Sequence, residues 1–174
     1  YGPLKRALVK IGMEETFHLR HGEVWMRRLS KAGGEAKEMV QRCVDWMFPM
    51  TIEWFGLPDD MKRHSGQLDY KLKGLTNDQL RQVWMASTVP LCEQLGLDAP
   101  AHWDEEKGEY VLDYPFPCQY NEEEKRWMFD EGEISWDTVF KRWKGRGPMN
   151  EIYVESVQRS RGDVKRLLNG KAVA

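Results

Sequence analysis

Glu15 and His18 stand three residues apart, a spacing that puts a carboxylate and an imidazole on one face of a helix. Both groups offer lone pairs to first-row transition metals, so the pair can supply two ligands to such an ion. The spacing alone recurs by chance in many helices. Its neighbours give it weight. Leu4, Leu8, Ile11, Glu15, His18, Gly22, Trp25 and Leu29 alternate steps of four and three without a break, the seam of a bundle helix. A seam is expected to be buried against other helices, and an ionised carboxylate buried there needs a positive partner.

Metal is one such partner: in ferritin-like di-iron bundles two helices each give a Glu and two others each give a Glu-x-x-His pair, all pointing inward. The other reading is a buried ion pair of Glu15, with Arg20 or another helix, beside a hydrogen-bonded His18. Glu14 lies a turn from His18 but off the seam, which suits solvent or an outer role. Arg20 and His21 follow at once, and a buried metal site recruits such groups to orient its ligands. Gly22 removes a side chain on the seam, where a close helix crossing or a substrate tip would need room. Lys62, Arg63 and His64 beside Ser65 put positive charge into a turn, able to hold phosphates or simply solvated. The tryptophans are too dispersed for one stacking platform and fit core or subunit contacts.

These groups need helices to hold them, and the chain reads as mostly α. A first helix from Leu4 stops at Gly33-Gly34, and a second runs from Glu35 to Phe48, with Pro49 expected to end or kink it. Gly56-Leu57-Pro58-Asp59-Asp60 is a turn signature. Thr76, three residues before Gln79, has capping-box spacing and opens a third helix toward Gly96, with Pro90 expected to interrupt it. After Pro100, Trp103, Lys107-Gly108 and Tyr110-Val111-Leu112 predict a short hairpin or extended arm. Asn121 to Phe129 reads as one or two helical turns, Ser135 caps a helix closing at Gly145, and Asn150 begins a last amphipathic helix to about Leu168. The expected fold is all-α, a helical bundle over residues 1–96 with an irregular extension over 97–174.

A chain of 174 residues with 41% hydrophobic and 31% charged residues is long enough for one proper core. The net charge of −2 carries no basic footprint, so nucleic acid is not an expected partner. Cys43, Cys92 and Cys118 are odd in number and far apart, against a disulfide framework and a zinc knuckle. No apolar run is long enough to span a bilayer, and the expected location is the cytoplasm. The first residue is Tyr1, and a fragment or processed chain is expected.

The blocks KIGMEETFHLRHG, TNDQLRQ, TVPLCEQLGL and KGRGPMNE, taken in order, resemble the catalytic A subunits of the bacterial phenylacetyl-CoA epoxidases. Those subunits carry an EE-x-FH-x-R-x-G motif, matched here by Glu14, Glu15, Phe17, His18, Arg20 and Gly22. The resemblance runs from Tyr1 to about Glu151. It implies a ferritin-like di-iron subunit, of which residues 1–96 would be a partial bundle, that activates dioxygen and places one oxygen atom on the ring of phenylacetyl-CoA, in aerobic phenylacetate degradation. Glu15 and His18 would be the last Glu-x-x-His pair, with Glu14 and Arg20 behind them. Electrons would come from NADPH through a separate reductase carrying FAD and a 2Fe-2S cluster. The partners would be a non-catalytic ferritin-like subunit, together with a small bridging subunit. Phe55, Gly56, Lys62 and Arg63 are candidate coenzyme A contacts by the position and charge of their loop. The resemblance departs in two places: the helices bearing the other iron ligands would precede Tyr1, and the stretch from Tyr114 to Glu131 is longer. The alternative function is a non-catalytic ferritin-like assembly subunit, which would not keep Glu and His together on the seam. With half a bundle, self-association through Leu4, Leu8, Ile11 and Trp25 is expected.

Overall fold

The computed structural model describes residues 2–62, 66–145 and 155–162. Two compact units divide the chain, Tyr1–Glu133 and Ile134–Ala174. The first unit holds three helices, α1 (Gly2–Ala32), α2 (Gly34–Trp54) and α3 (Asn77–Leu95), and four strands. These are β1 (Ala101–Asp104), β2 (Glu109–Leu112), β3 (Cys118–Asn121) and β4 (Arg126–Glu133). They pair as two antiparallel hairpins, β1 with β2 and β3 with β4. The expectation of an all-α fold is therefore corrected: helices dominate, and two small sheets stand beside them.

Local chemistry explains most boundaries. Gly33 and Gly34 take positive φ, which turns the chain between α1 and α2 at little steric cost. Thr76 opens α3 with a full capping box, its hydroxyl accepting from the Gln79 N–H and the Gln79 side chain accepting from the Thr76 N–H. Gly96 closes α3 in the left-handed conformation. The loop before α3 is tied to its start: the Asn77 N–H donates to Asp59 Oδ1 at 3.1 Å and the Asp59 N–H to Asp78 Oδ2 at 2.8 Å. Desolvation works to raise the pKa of Asp59, yet bonds from Thr76 and the Asn77 and Asp78 N–H groups hold it below its ordinary value.

Pro49 does not end α2, which runs on to Trp54, and α3 runs through Pro90 to Leu95 where an interruption was expected. Pro49 has no N–H to give the Asp45 carbonyl, and its ring crowds the turn before it. One residue along, the Trp46 carbonyl accepts the indole N–H of Trp127 at 2.8 Å. A tertiary bond from β4 thus supports the turn that the proline weakens. Trp127→Phe keeps most of the ring but withdraws this donor. It is expected to cost about 1–2 kcal/mol, read as a lower urea midpoint with unchanged slope; an unchanged midpoint would show that the bond contributes nothing.

The core lies where the hairpins meet α2 and α3. Phe48, Ile52, Met85, Val89 and Ala101 form one buried cluster, with Val40, Cys92 and Leu97 beside Met26 forming another. Tyr114, Cys118, Tyr120 and Trp127 form a third, against Met50 and Phe116. The residues from Asn121 to Phe129, expected as helical turns, instead make the β3–β4 hairpin. The Asn121 side-chain oxygen accepts the N–H groups of Glu123 and Glu124 and so builds the turn. Pairing jumps from Gln119–Met128 to Cys118–Glu133, so residues 129–132 bulge out, with Gly132 at a φ of 80°. None of the three cysteines is in a disulfide. No helix among the described residues is long and apolar enough to cross a membrane.

In the second unit, Ser135 caps α4 (Trp136–Gly145) as its position predicts, accepting the Thr138 N–H at 3.3 Å. Trp136, Phe140 and Trp143 lie at helical spacing with successive rings 5.8 and 5.6 Å apart. Of the final helix expected from Asn150 to about Leu168, residues 155–162 are described and helical; the rest lies outside the described residues.

Candidate metal-ligating pair

Glu15 and His18 sit side by side on α1, His18 Nδ1 lying 3.4 Å from Glu15 Oε1. The i, i+3 step of the helix makes that approach without distorting the backbone. The seam carrying them is not buried in this chain. The Glu15 and His18 side chains are 65% and 71% exposed, and every residue from 2 to 22 is exposed. Only the last third of α1 packs on α2 and α3, through Met26 and Ser30, with Arg27 reaching Gln94 on α3. The seam residues Leu4, Leu8, Ile11, Glu15, His18, Gly22, Trp25 and Leu29 are all exposed, so the burial expected for the seam is not supplied by the described residues.

The surrounding candidates are equally open. Glu14 is 3.9 Å from Lys10, one turn back. Arg20 is exposed, and His21 meets Trp25 edge-on at 6.2 Å. A side chain at Gly22 would find open space.

The proposed substrate loop is built differently. Phe55 is the C-cap of α2, its ring 6.4 Å from that of Trp84. Gly56 has a φ of 93°, and its carbonyl accepts from Arg81. Lys62 lies near Lys73, whose pKa is lowered by burial first and by the Lys62 charge second. Arg63 lies outside the described residues, with His64 and Ser65. Among the described residues, no hydrogen bond, ion pair or ring contact joins this loop to Glu15 or His18.

Sequence patterns gave no hint of a buried polar junction under the same loop. Arg81 is only 4% exposed and donates from Nε to the Ile52 carbonyl at 3.2 Å, and from its other arms to Gly56 and Asp78. Its guanidinium lies over the Phe116 ring, 4.9 Å from the centroid. Glu53, Asn77 and Tyr114 are buried nearby, and burial, with the Glu53 charge, pushes the Tyr114 phenol well above its ordinary pKa. An arginine on an amphipathic helix carries no local mark of such a role.

A carboxylate and an imidazole held together on one helix face fit the donor set of a transition metal, but two donors do not close a coordination sphere. Among the described residues no group of three or more His, Cys, Asp or Glu side chains converges. Residues 1–150 match the family described as phenylacetic acid catabolic protein. The chain belongs to that family. A curated relative, the A subunit of the 1,2-phenylacetyl-CoA epoxidase of Escherichia coli (strain K12), is 32% identical over 164 residues. The match takes in 92% of this chain and 47% of the relative, so the chain spans about half the relative's length. The Glu15–His18 helix falls inside the family match, as do the α2–α3 loop and both hairpins.

Proposed function

We propose that this chain is the iron-ligating half of a catalytic subunit in a multicomponent di-iron oxygenase that epoxidises the aromatic ring of phenylacetyl-CoA. The juxtaposition of Glu15 and His18 on α1, in a member of this family, carries the reading. Glu15 would give one carboxylate and His18 one imidazole nitrogen to the site. The remaining carboxylates and the second imidazole would come from helices outside the described residues, as the four-helix arrangement of such sites requires. Bound iron would supply dioxygen activation. The chain's own part would be to fix two ligands on one rigid helix, with Leu8, Ile11 and Trp25 excluding water on either side once partner helices cover them. Glu14 and Arg20 would tune the ligands from behind. Phe55, Gly56, Lys62 and Arg63 would face the coenzyme A portion of the substrate.

Electrons from NADPH would arrive through a separate reductase holding FAD and a 2Fe-2S cluster, in a cytoplasmic complex with a non-catalytic ferritin-like subunit, together with a small bridging subunit. The reading as an assembly subunit is weaker, since assembly gives no reason to keep Glu15 and His18 adjacent on the seam. Metal analysis of the full-length protein, produced with its partners, tests the proposal. The expected content is about two irons per catalytic subunit, with epoxidation of phenylacetyl-CoA by the complex and none by the 174-residue chain alone. Iron-free full-length protein with full activity would refute it.

A further inference from the structure

The turn that follows α2 is held by its carbonyls. Arg81 donates to the carbonyls of Ile52 and Gly56, and Asn77 Nδ2 donates to the Leu57 carbonyl at 2.7 Å. Both donors stand in the first two turns of α3, and both are buried. Arg81 is fixed in its turn by the Asp78 carboxylate and the Phe116 ring, while the Asn77 N–H donates to Asp59. Gly56 takes a φ of 93°, a conformation open to glycine, and a Cβ there would lie 3.4 Å from Asn77 Nδ2. A trans peptide points its N–H opposite its carbonyl. The Gly56 carbonyl, drawn toward Arg81, therefore turns the Leu57 N–H to the other side, where no described residue accepts from it. Phe55 and Leu57 are half-buried, so that side of the turn is not sealed.

We infer that Arg81 and Asn77 are positioning residues for the acyl-CoA substrate: they hold the turn so that Phe55 and the Leu57 N–H face it, and that N–H donates to an oxygen of the coenzyme A portion. The inference rests on the reading of this turn as a coenzyme A contact. Neither residue touches the substrate; each acts through a carbonyl of the turn. A buried charge is a costly way to hold a fold together, since a hydrophobic residue of similar volume does so as well or better. What a guanidinium adds is a planar fork that fixes several acceptors at once. Here two of those acceptors are backbone carbonyls, one of them in the turn itself. A turn fixed before binding loses little freedom when the substrate arrives.

The full-length protein, purified with its partner subunits, is assayed with phenylacetyl-CoA. Asn77→Asp keeps the shape of the side chain but withdraws its donor, and Arg81→Lys keeps the charge but loses the fork. Each should raise KM about three- to tenfold, the change that one hydrogen bond represents, with kcat held within about twofold. Should Arg81→Lys fail to assemble, Asn77→Asp carries the test. Hydrogen exchange of the Leu57 N–H should slow when free coenzyme A is added as the probe, and slow less in either variant; this readout needs no turnover, so it survives a failure of the oxygenase reading. Trp127→Phe loosens α2 away from this turn and separates position from stability, since its KM should stay at the parent value. Lys62→Ala tests the coenzyme A reading itself. If Lys62→Ala and both positioning variants leave KM unchanged, the turn does not meet coenzyme A, and the inference falls with that reading. If Lys62→Ala raises KM and neither variant does, the positioning role alone is overturned. A KM raised equally by Trp127→Phe overturns it too, because general loosening would then account for the effect.

Discussion

Replacing His18 by alanine in the full-length protein, purified with its partner subunits, is expected to remove most of its iron and to lower epoxidation more than about 100-fold. The magnitude follows from ligand chemistry: disturbing a group that only orients a ligand costs about 10–100-fold in affinity or activity, and removing the ligand costs more. Alanine is the best helix former, so α1 should keep its length and the effect should be confined to the site. Iron content and turnover should fall together, because the loss is of the centre and not of substrate binding. Lys5→Ala, at an exposed position in the first turn of α1, is the control for unspecific damage to the helix. Full iron occupancy with full turnover in the His18→Ala protein would end the assignment of this residue as a ligand.

The parts legible in the sequence are those set by short-range chemistry. The Thr76–Gln79 capping box and the Gly96 stop are local, and α3 begins and ends where they place it. Glu15 and His18 are adjacent for the same reason, because an i, i+3 step needs nothing beyond the helix itself. What escaped depends on distant partners. A local rule makes Pro49 and Pro90 helix breakers, yet the turn before Pro49 is supported at the Trp46 carbonyl by an indole 81 residues further along the chain than Trp46. The short alternation of Cys118 and Tyr120 inward with Gln119 and Asn121 between them marks β3, but four residues are too few to outweigh the acidic run that follows. Burial of the α1 seam was illegible in a different way: periodicity shows which face seeks cover, not whether this chain contains the cover.

Arg81→Ala is expected to destabilise the first unit by about 3–5 kcal/mol, the range for removing one member of a buried charged network. Every arm of this guanidinium is committed. It satisfies carbonyls at Ile52 and Gly56, where the end of α2 leaves acceptors without helical partners, and it meets the Asp78 carboxylate on its own helix. Burial disfavours the charge while Asp78 and Asp59 restore it, and an arginine stays protonated throughout the ordinary pH range. Alanine would leave those carbonyls buried without a donor and withdraw the positive charge from the neighbourhood of Glu53. Arg81→Lys should recover only part of the loss, because one ammonium cannot reach three acceptors in a planar fork or cover the Phe116 ring as the guanidinium does. Arg27, whose bond to Glu23 is exposed, sets the contrast: its alanine variant should lose less than about 1 kcal/mol. Urea unfolding of the three variants separates the cases. If Arg81→Ala lost no more than Arg27→Ala, the junction would be packing alone, and the loop carrying Phe55 and Gly56 would owe its position to the hydrogen bonds of Asp59 and Asn77.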